Sequence, residues 1–172
     1  MSSKKNILIQ VTRNKNFSIK VRKPFEENLI DFISDFSNEI RRSSKKNNHD
    51  LMYLSLWCSR KKINELKKDY YFRQIRLGRG LVFHICPSNV PTNFIYSFFF
   101  GLLSGNSNIV KLPSKDFKEK KIILSAVKSL FNKKKYANLK KTNCFIQYSR
   151  KDEITKKISS ICDGRVIWGG NK

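Results

Sequence analysis

From residue 81 onward the apolar positions follow two alternating rhythms. The runs "LVFHIC", "NIVKL", "CFIQY" and "RVIWG" are short and nearly continuous in apolar residues, as expected of strands covered on both faces. Between them, residues 92–103, 115–131 and 151–161 carry the spacing of helices. Four strands joined by three helices make successive βαβ units, which require a parallel sheet with right-handed crossovers. The expected fold class is therefore α/β.

The first 77 residues read differently. "NILIQV" and "FSIKV" are β-type runs separated by the turn-rich "TRNKN", which predicts a hairpin or an edge pair. Over residues 25–40, Phe25, Leu29, Phe32, Ile33, Phe36 and Ile40 recur at three- and four-residue steps, predicting an amphipathic helix with Glu26 and Glu27 in its first turn. "RRSSKKNNHD" interrupts it as a polar loop, in which His49 reads as solvated rather than as a ligand. A second helix is expected over residues 50–68, with Leu51, Leu54, Trp57, Cys58 and Leu66 on or near one face. The change of pattern after "IRLGRG" places a boundary near Gly78 or Gly80, giving residues 1–77 as a hairpin and helical region and residues 78–172 as an α/β domain.

The chain has 172 residues, room for one domain of ordinary size with its own core. At 40% hydrophobic residues with 13 Phe, it holds enough apolar surface to offset the entropy of folding and is not a disordered basic tail. The net charge of +23 points to nucleic acid, an anionic surface or another acidic partner. Lys outnumbers Arg 26 to 10, however, and bidentate phosphate and base recognition favours Arg. A solvated cationic surface is the expected reading, with a nucleic-acid-binding protein as the rival that charge alone would suggest.

Cys58, Cys86, Cys144 and Cys162 form no CxxC pair and have no His at metal-ligand spacing, so no metal site is expected. No secretory leader pattern opens the chain, and a reducing cytoplasmic setting is expected. The most apolar stretch, "FIYSFFFGLL", is half of the roughly 20 residues that a membrane-spanning helix needs, and reads as a buried helix.

In an open parallel sheet, ligands bind beyond the carboxyl ends of the strands. Here those ends are "CPSN", "LPS", "YSRKD" and "GGNK". In "HICPSNVPTNF", Pro87 stops the strand, Pro91 suits the first turn of a helix, and Asn89 lies between them in a tight turn. The side-chain amide of Asn89 can stabilise a developing oxyanion, or Asn89 can serve only as a turn residue. Cys86 invites a nucleophilic reading, but a nucleophilic thiol needs a lowered pKa or an adjacent base. His84 lies two residues upstream, about 6 to 7 Å along the strand, which makes Cys86 a packing thiol. Lys111 closes an apolar strand just before the Leu-Pro-Ser turn, where either an anionic ligand or solvent would receive its charge. The closing "GRVIWGGNK" feeds a strand into a glycine pair, a weak signal for close ligand approach.

Taken in order, "GRGLVFHICPSNVPTNF", "GLLSGNSNIVKLPSKD" and "RVIWGGNK" resemble the LuxC-type acyl-CoA reductase family, a branch of the aldehyde dehydrogenase superfamily. The resemblance covers residues 78–172 well and the preceding part more loosely. It implies a Rossmann-like, aldehyde-dehydrogenase-like cofactor domain and an NADPH-dependent reduction of a fatty acyl-CoA or acyl thioester to an aldehyde through a cysteine thioester. "PSNVP" is similar to the superfamily's Pro-x-Asn-x-Pro turn, which implies that Asn89 is the oxyanion donor. "VKLPS" is similar to the Lys-Pro-Ser turn at the cofactor's adenosine ribose, implying Lys111 and Ser114, although Leu112 interrupts the match. "WGGN" resembles the glycine turn beside the pyrophosphate and nicotinamide, implying Gly169, Gly170 and Asn171. The family's nucleophilic cysteine lies beyond that turn and none of the four cysteines matches it. The expectation is thus an N-terminal portion, truncated or split, inactive by itself. Its partners would be the acyl substrate and an acyl-transferring protein or second chain supplying the catalytic part. A non-catalytic nucleotide-binding module is the alternative.

Overall fold

The computed structural model describes residues 9–10, 16–43, 48–70, 75–148 and 153–169. In chain order the elements are β1 (Ile9–Gln10), α1 (Glu27–Ser43), α2 (His49–Trp57), α3 (Arg60–Asp69), β2 (Leu81–Ile85), α4 (Asn93–Leu103) and β3 (Ser107–Lys111). They continue with α5 (Lys118–Phe131), a 3₁₀ turn (Lys134–Tyr136), α6 (Ala137–Thr142), β4 (Asn143–Gln147), α7 (Ile154–Ile161) and β5 (Gly164–Ile167).

The sheet has the order β1-β4-β3-β2-β5. Strands β2, β3, β4 and β5 are parallel, and β1 joins the β4 edge antiparallel. This is the α/β, Rossmann-like architecture that the alternation of apolar runs predicts. The chain steps outward from β2 through β3 to β4, then returns to place β5 on the other side of β2. The reversal between β2 and β5 opens a crevice at the carboxyl ends of these strands.

The four strands predicted from residue 81 onward are found within a residue or two. The helix expected over 115–131 starts at Lys118 instead, and the one expected over 151–161 is seen as Ile154–Ile161. The single helix expected over 50–68 is two helices. Ser59 takes an extended conformation and its side chain accepts a bond from Lys62 N, so it caps a new helix instead of continuing the old one. The break lets Leu51, Leu54 and Cys58 from one helix and Ile63 from the next all reach the core. The short helix α6, which carries no long apolar stripe, was not anticipated.

Of the two β-type runs near the start, Ile9 and Gln10 pair with Gln147 and Ile146 of β4. Residues 17–21 run alongside the sheet without strand pairing among the described residues. They are held by bonds from Ser18 N to Lys141 O (2.9 Å) and Lys20 N to Ser107 Oγ (2.8 Å). Further on, Arg22 N donates to Gly105 O, and Gly78 N to Arg22 O, each at 2.9 Å. Gly105 has φ +83°, and a Cβ there would lie 2.2 Å from Arg22 O, so this three-way backbone crossing needs glycine at that position.

Two cores flank the sheet. The larger joins α1, α2, α3, α4 and α5 on one face. It accounts for much of the phenylalanine content: Phe32 stacks on Phe131 at 5.4 Å, Phe36 meets Phe99 edge-on at 5.0 Å, and Phe98 meets Phe145 at 4.9 Å. Such pairs add about 0.5–1.5 kcal/mol each beyond the burial of area. The smaller core, on the other face, gathers Phe83, Cys144, Ile146 and Tyr148 against Ile154, Ile158 and Phe17. No helix among the described residues is long and apolar enough to cross a membrane.

Candidate functional site

The carboxyl ends of β2, β3, β4 and β5 enclose a cleft of about 190 Å³. Ile85, Cys86, Pro87 and Ser88 come from the end of β2, Lys111, Leu112, Pro113 and Ser114 from the end of β3, Tyr148 from β4 and Trp168 from β5. Parallel pairing in register brings them together: Ile85 lies opposite both Lys111 and Ile167, and Lys111 opposite Ile146. A second, mostly apolar pocket of about 260 Å³ lies at the far end of α4, between Phe25, Leu66, Phe100 and Leu103.

Lys111 is half-buried, its ammonium 4.5 Å from the centroid of the Tyr148 ring. The ring's negative face offsets part of the cost of desolvating the cation. Ser114 is exposed on the rim, in the turn that follows β3. That turn is tied to β4 by Leu112 N donating to Ile146 O (2.9 Å). Asn89 is exposed in the turn from β2 to α4, one residue past Ser88, and does not itself line the cleft. The helix after this turn begins at Asn93, two residues beyond Pro91. Gly169 is exposed beside Trp168, and a Cβ added there would meet nothing within 4 Å. Gly170 and Asn171 lie outside the described residues.

Two lining residues, Tyr148 and Trp168, were not singled out from sequence. Their signal was available: Tyr148 is the last residue of one predicted strand and Trp168 the last but one of another. Behind the cleft runs a buried polar chain that the sequence did not reveal. Trp168 Nε1 donates to Ser97 Oγ (2.9 Å), which lies 2.8 Å from His84 Nδ1, while His84 Nε2 lies 3.0 Å from Asn108 Oδ1. Asn108 Nδ2 donates to Asn106 O (3.0 Å) and to Asn143 Oδ1 (2.8 Å). Asn143 in turn donates to Leu139 O and Thr142 Oγ1, and Thr142 Oγ1 accepts from the buried Arg22.

Burial pulls His84 down to about 4, with the Asn108 bond opposing the shift, so the imidazole is neutral at pH 7. Both its nitrogens are engaged and it faces no open space, which makes it structural. The Cys86 thiol is pushed up to about 12 by burial, against a smaller lowering from Ser97. Burial also pushes Cys58 well up. Neither thiol has the thiolate character that nucleophilic catalysis needs. All four cysteines are free. Among the described residues, no group of three His, Cys, Asp or Glu is placed to hold a metal ion.

The family model described as acyl-CoA reductase (LuxC) matches residues 10–172, nearly the whole chain. The chain belongs to the LuxC acyl-CoA reductase family. A search of curated proteins and a search of solved structures each returned no match. LuxC-family reductases generally use a nicotinamide cofactor, and the donor set of the cleft suits one. Lys111 offers a cation for a phosphate, Ser88 and Ser114 offer hydroxyls for a sugar, and Trp168 and Tyr148 offer ring faces. In this LuxC-family chain, the residues expected from the "VKLPS" match therefore share one cleft, with Asn89 at its margin.

Proposed function

We propose that this chain supplies the nucleotide-binding unit for reduction of a fatty acyl-CoA, or a related acyl thioester, to an aldehyde with NADPH. The observation that carries the reading is the position of the cleft. It lies at the reversal of strand order and combines a cation, hydroxyls and aromatic rings. Its lining residues all fall within 78–172, the stretch proposed as the dinucleotide-binding domain, with residues 1–77 as a flanking region that carries helices α1, α2 and α3.

In this reading Lys111 and Ser114 would hold the cofactor's ribose and phosphate side, and Gly169, with Gly170 from outside the described residues, would let the pyrophosphate approach the backbone. When bound, the cofactor supplies a hydride to the acyl carbon. The thioester C–S bond breaks, the sulfur leaves as a thiolate that takes up a proton, and an aldehyde is released. Asn89 donates its side-chain N–H to the oxygen that gains negative charge as the carbonyl is attacked. The thiol that carries the acyl group is not Cys86 or Cys58, whose burial keeps them protonated, nor Cys144 or Cys162, which pack in or against the smaller core and do not line the cleft. It is provided by further polypeptide or by a second chain, to which an acyl-transferring protein would deliver the substrate. The chain on its own binds the nucleotide and releases no aldehyde.

Calorimetric titration of the protein with NADPH, and separately with NADH, tests the reading. Saturable 1:1 binding that weakens at least tenfold in Lys111→Met is expected, with no aldehyde formed when acyl-CoA is added. Absence of binding at millimolar nucleotide would overturn it. In an active assembly with the thiol-bearing part, Asn89→Ala should lower kcat by about a hundredfold or more. Unchanged turnover there would remove Asn89 from the chemistry.

A further inference from the structure

Lysines abound on this surface, but Lys120 differs from its neighbours: its side chain is only 7% exposed. It stands in the first turn of α5, and its ammonium points back at the turn following β3. Nζ donates to Lys115 O at 2.9 Å and to Pro113 O at 3.3 Å, and Asp116 Oδ1 lies 3.6 Å away. An ammonium taken out of water is costly unless it is hydrogen-bonded and paired. Here two carbonyls accept from it and the Asp116 carboxylate faces it as an ion pair, so the charge acts as a three-way tie.

The two carbonyls bracket Ser114. On the other side Leu112 is fixed to β4 through Ile146 O. The segment that contributes Leu112, Pro113 and Ser114 to the cleft is thus anchored at one end by the sheet and at the other by Lys120. Without the second anchor, a short turn on the protein surface would satisfy its carbonyls with water in several conformations. We propose that Lys120 is a positioning residue for nucleotide binding, setting the wall of the cleft that carries Ser114 and follows Lys111. The proposal rests on the nucleotide-binding reading of the cleft. It adds a residue that touches no ligand, on a different element, whose loss would act through the turn.

The test compares the wild-type chain with Lys120→Met, which keeps the length and removes the donors, and with Lys120→Arg, which restores them. Backbone 15N relaxation at Ser114, Lys115 and Asp116 reads the tie without any ligand, and NADPH calorimetry reads its consequence. Lys120→Met should lower the order parameters of these residues to below about 0.6 and bind NADPH at least tenfold more weakly, with a melting temperature within a few degrees of wild type. Lys120→Arg should recover most of both. Unchanged order parameters in Lys120→Met would overturn the tie, and unchanged affinity despite a loosened turn would overturn its role in the cleft. If the wild-type chain itself fails to bind NADPH, the nucleotide reading falls and the proposed role falls with it, while the order parameters still decide the tie. Should Lys120→Met not fold, Lys120→Gln, which retains a donor, should show intermediate losses in both measurements, and wild-type values there would equally overturn the proposal.

Discussion

His84 Nε2 and Asn108 Oδ1 stand 3.0 Å apart on neighbouring parallel strands, and this pair sets the protonation of the buried polar chain. Asn108 uses both its N–H groups as donors, to Asn106 O and Asn143 Oδ1, so its oxygen must accept. The proton of the neutral imidazole therefore resides on Nε2, and Nδ1 accepts from the Ser97 hydroxyl, which itself accepts from the Trp168 indole.

A neutral, buried His84 makes stability depend on pH. Its folded value is lowered from 6.5 to about 4, so between these limits the unfolded chain binds a proton that the folded chain refuses. The contribution is present above about pH 6.5 and is lost as the pH falls toward 4, on the order of 3 kcal/mol in total. Urea unfolding at stepped pH should show this fall, and it should flatten in His84→Gln, which will be less stable at pH 7. An equal slope in the variant would assign the dependence to other groups.

Helix α4 approaches the sheet through Gly101. A Cβ at that position would lie 2.2 Å from Asn108 Oδ1 and 2.8 Å from both His84 Cε1 and Nε2. Gly101→Ala should therefore push the helix away or break the His84 to Asn108 bond, costing about 2–3 kcal/mol by the usual penalties for overpacking and a lost buried bond. Chemical denaturation measures it. A neutral or stabilising result would mean that the contact relaxes without loss, since alanine is otherwise the better helix former.

The Cys86 thiol offers a direct check on the chemistry assigned to the cleft. With its pKa raised to about 12, its thiolate fraction near pH 8 is about a thousandfold below that of an ordinary thiol. Higher intrinsic nucleophilicity recovers part of this. Iodoacetamide should modify Cys86 at least tenfold more slowly in the folded protein than in urea, as followed by peptide mass spectrometry. Fast labelling in the folded state would return Cys86 to consideration as a nucleophile.

What the amino-acid sequence determined by itself was local and periodic. The apolar runs of five or six residues and the helices between them specified the βαβ order, because strand and helix burial have different periods. The turns at "CPSN" and "LPS" followed from proline and strand ends. Lys111 could be named from such a turn and Ser114 from the resemblance of "VKLPS" to the family's turn, and both line the cleft. The break at Ser59 was less legible, since a capping serine inside an amphipathic run looks like any polar position until its backbone turns extended.

Only the tertiary structure decided which distant positions meet. Trp168 and Ser97, 71 residues apart, share a hydrogen bond because β5 returns to the far side of β2 under α4, and no periodicity encodes that return. Lys120 is the same case: among so many lysines, its burial against the carbonyls of Pro113 and Lys115 depends on how α5 folds back over the turn. The pattern of residues selects the elements, but the meeting of their side chains is a property of register and crossover, which are set by the packing of the whole sheet.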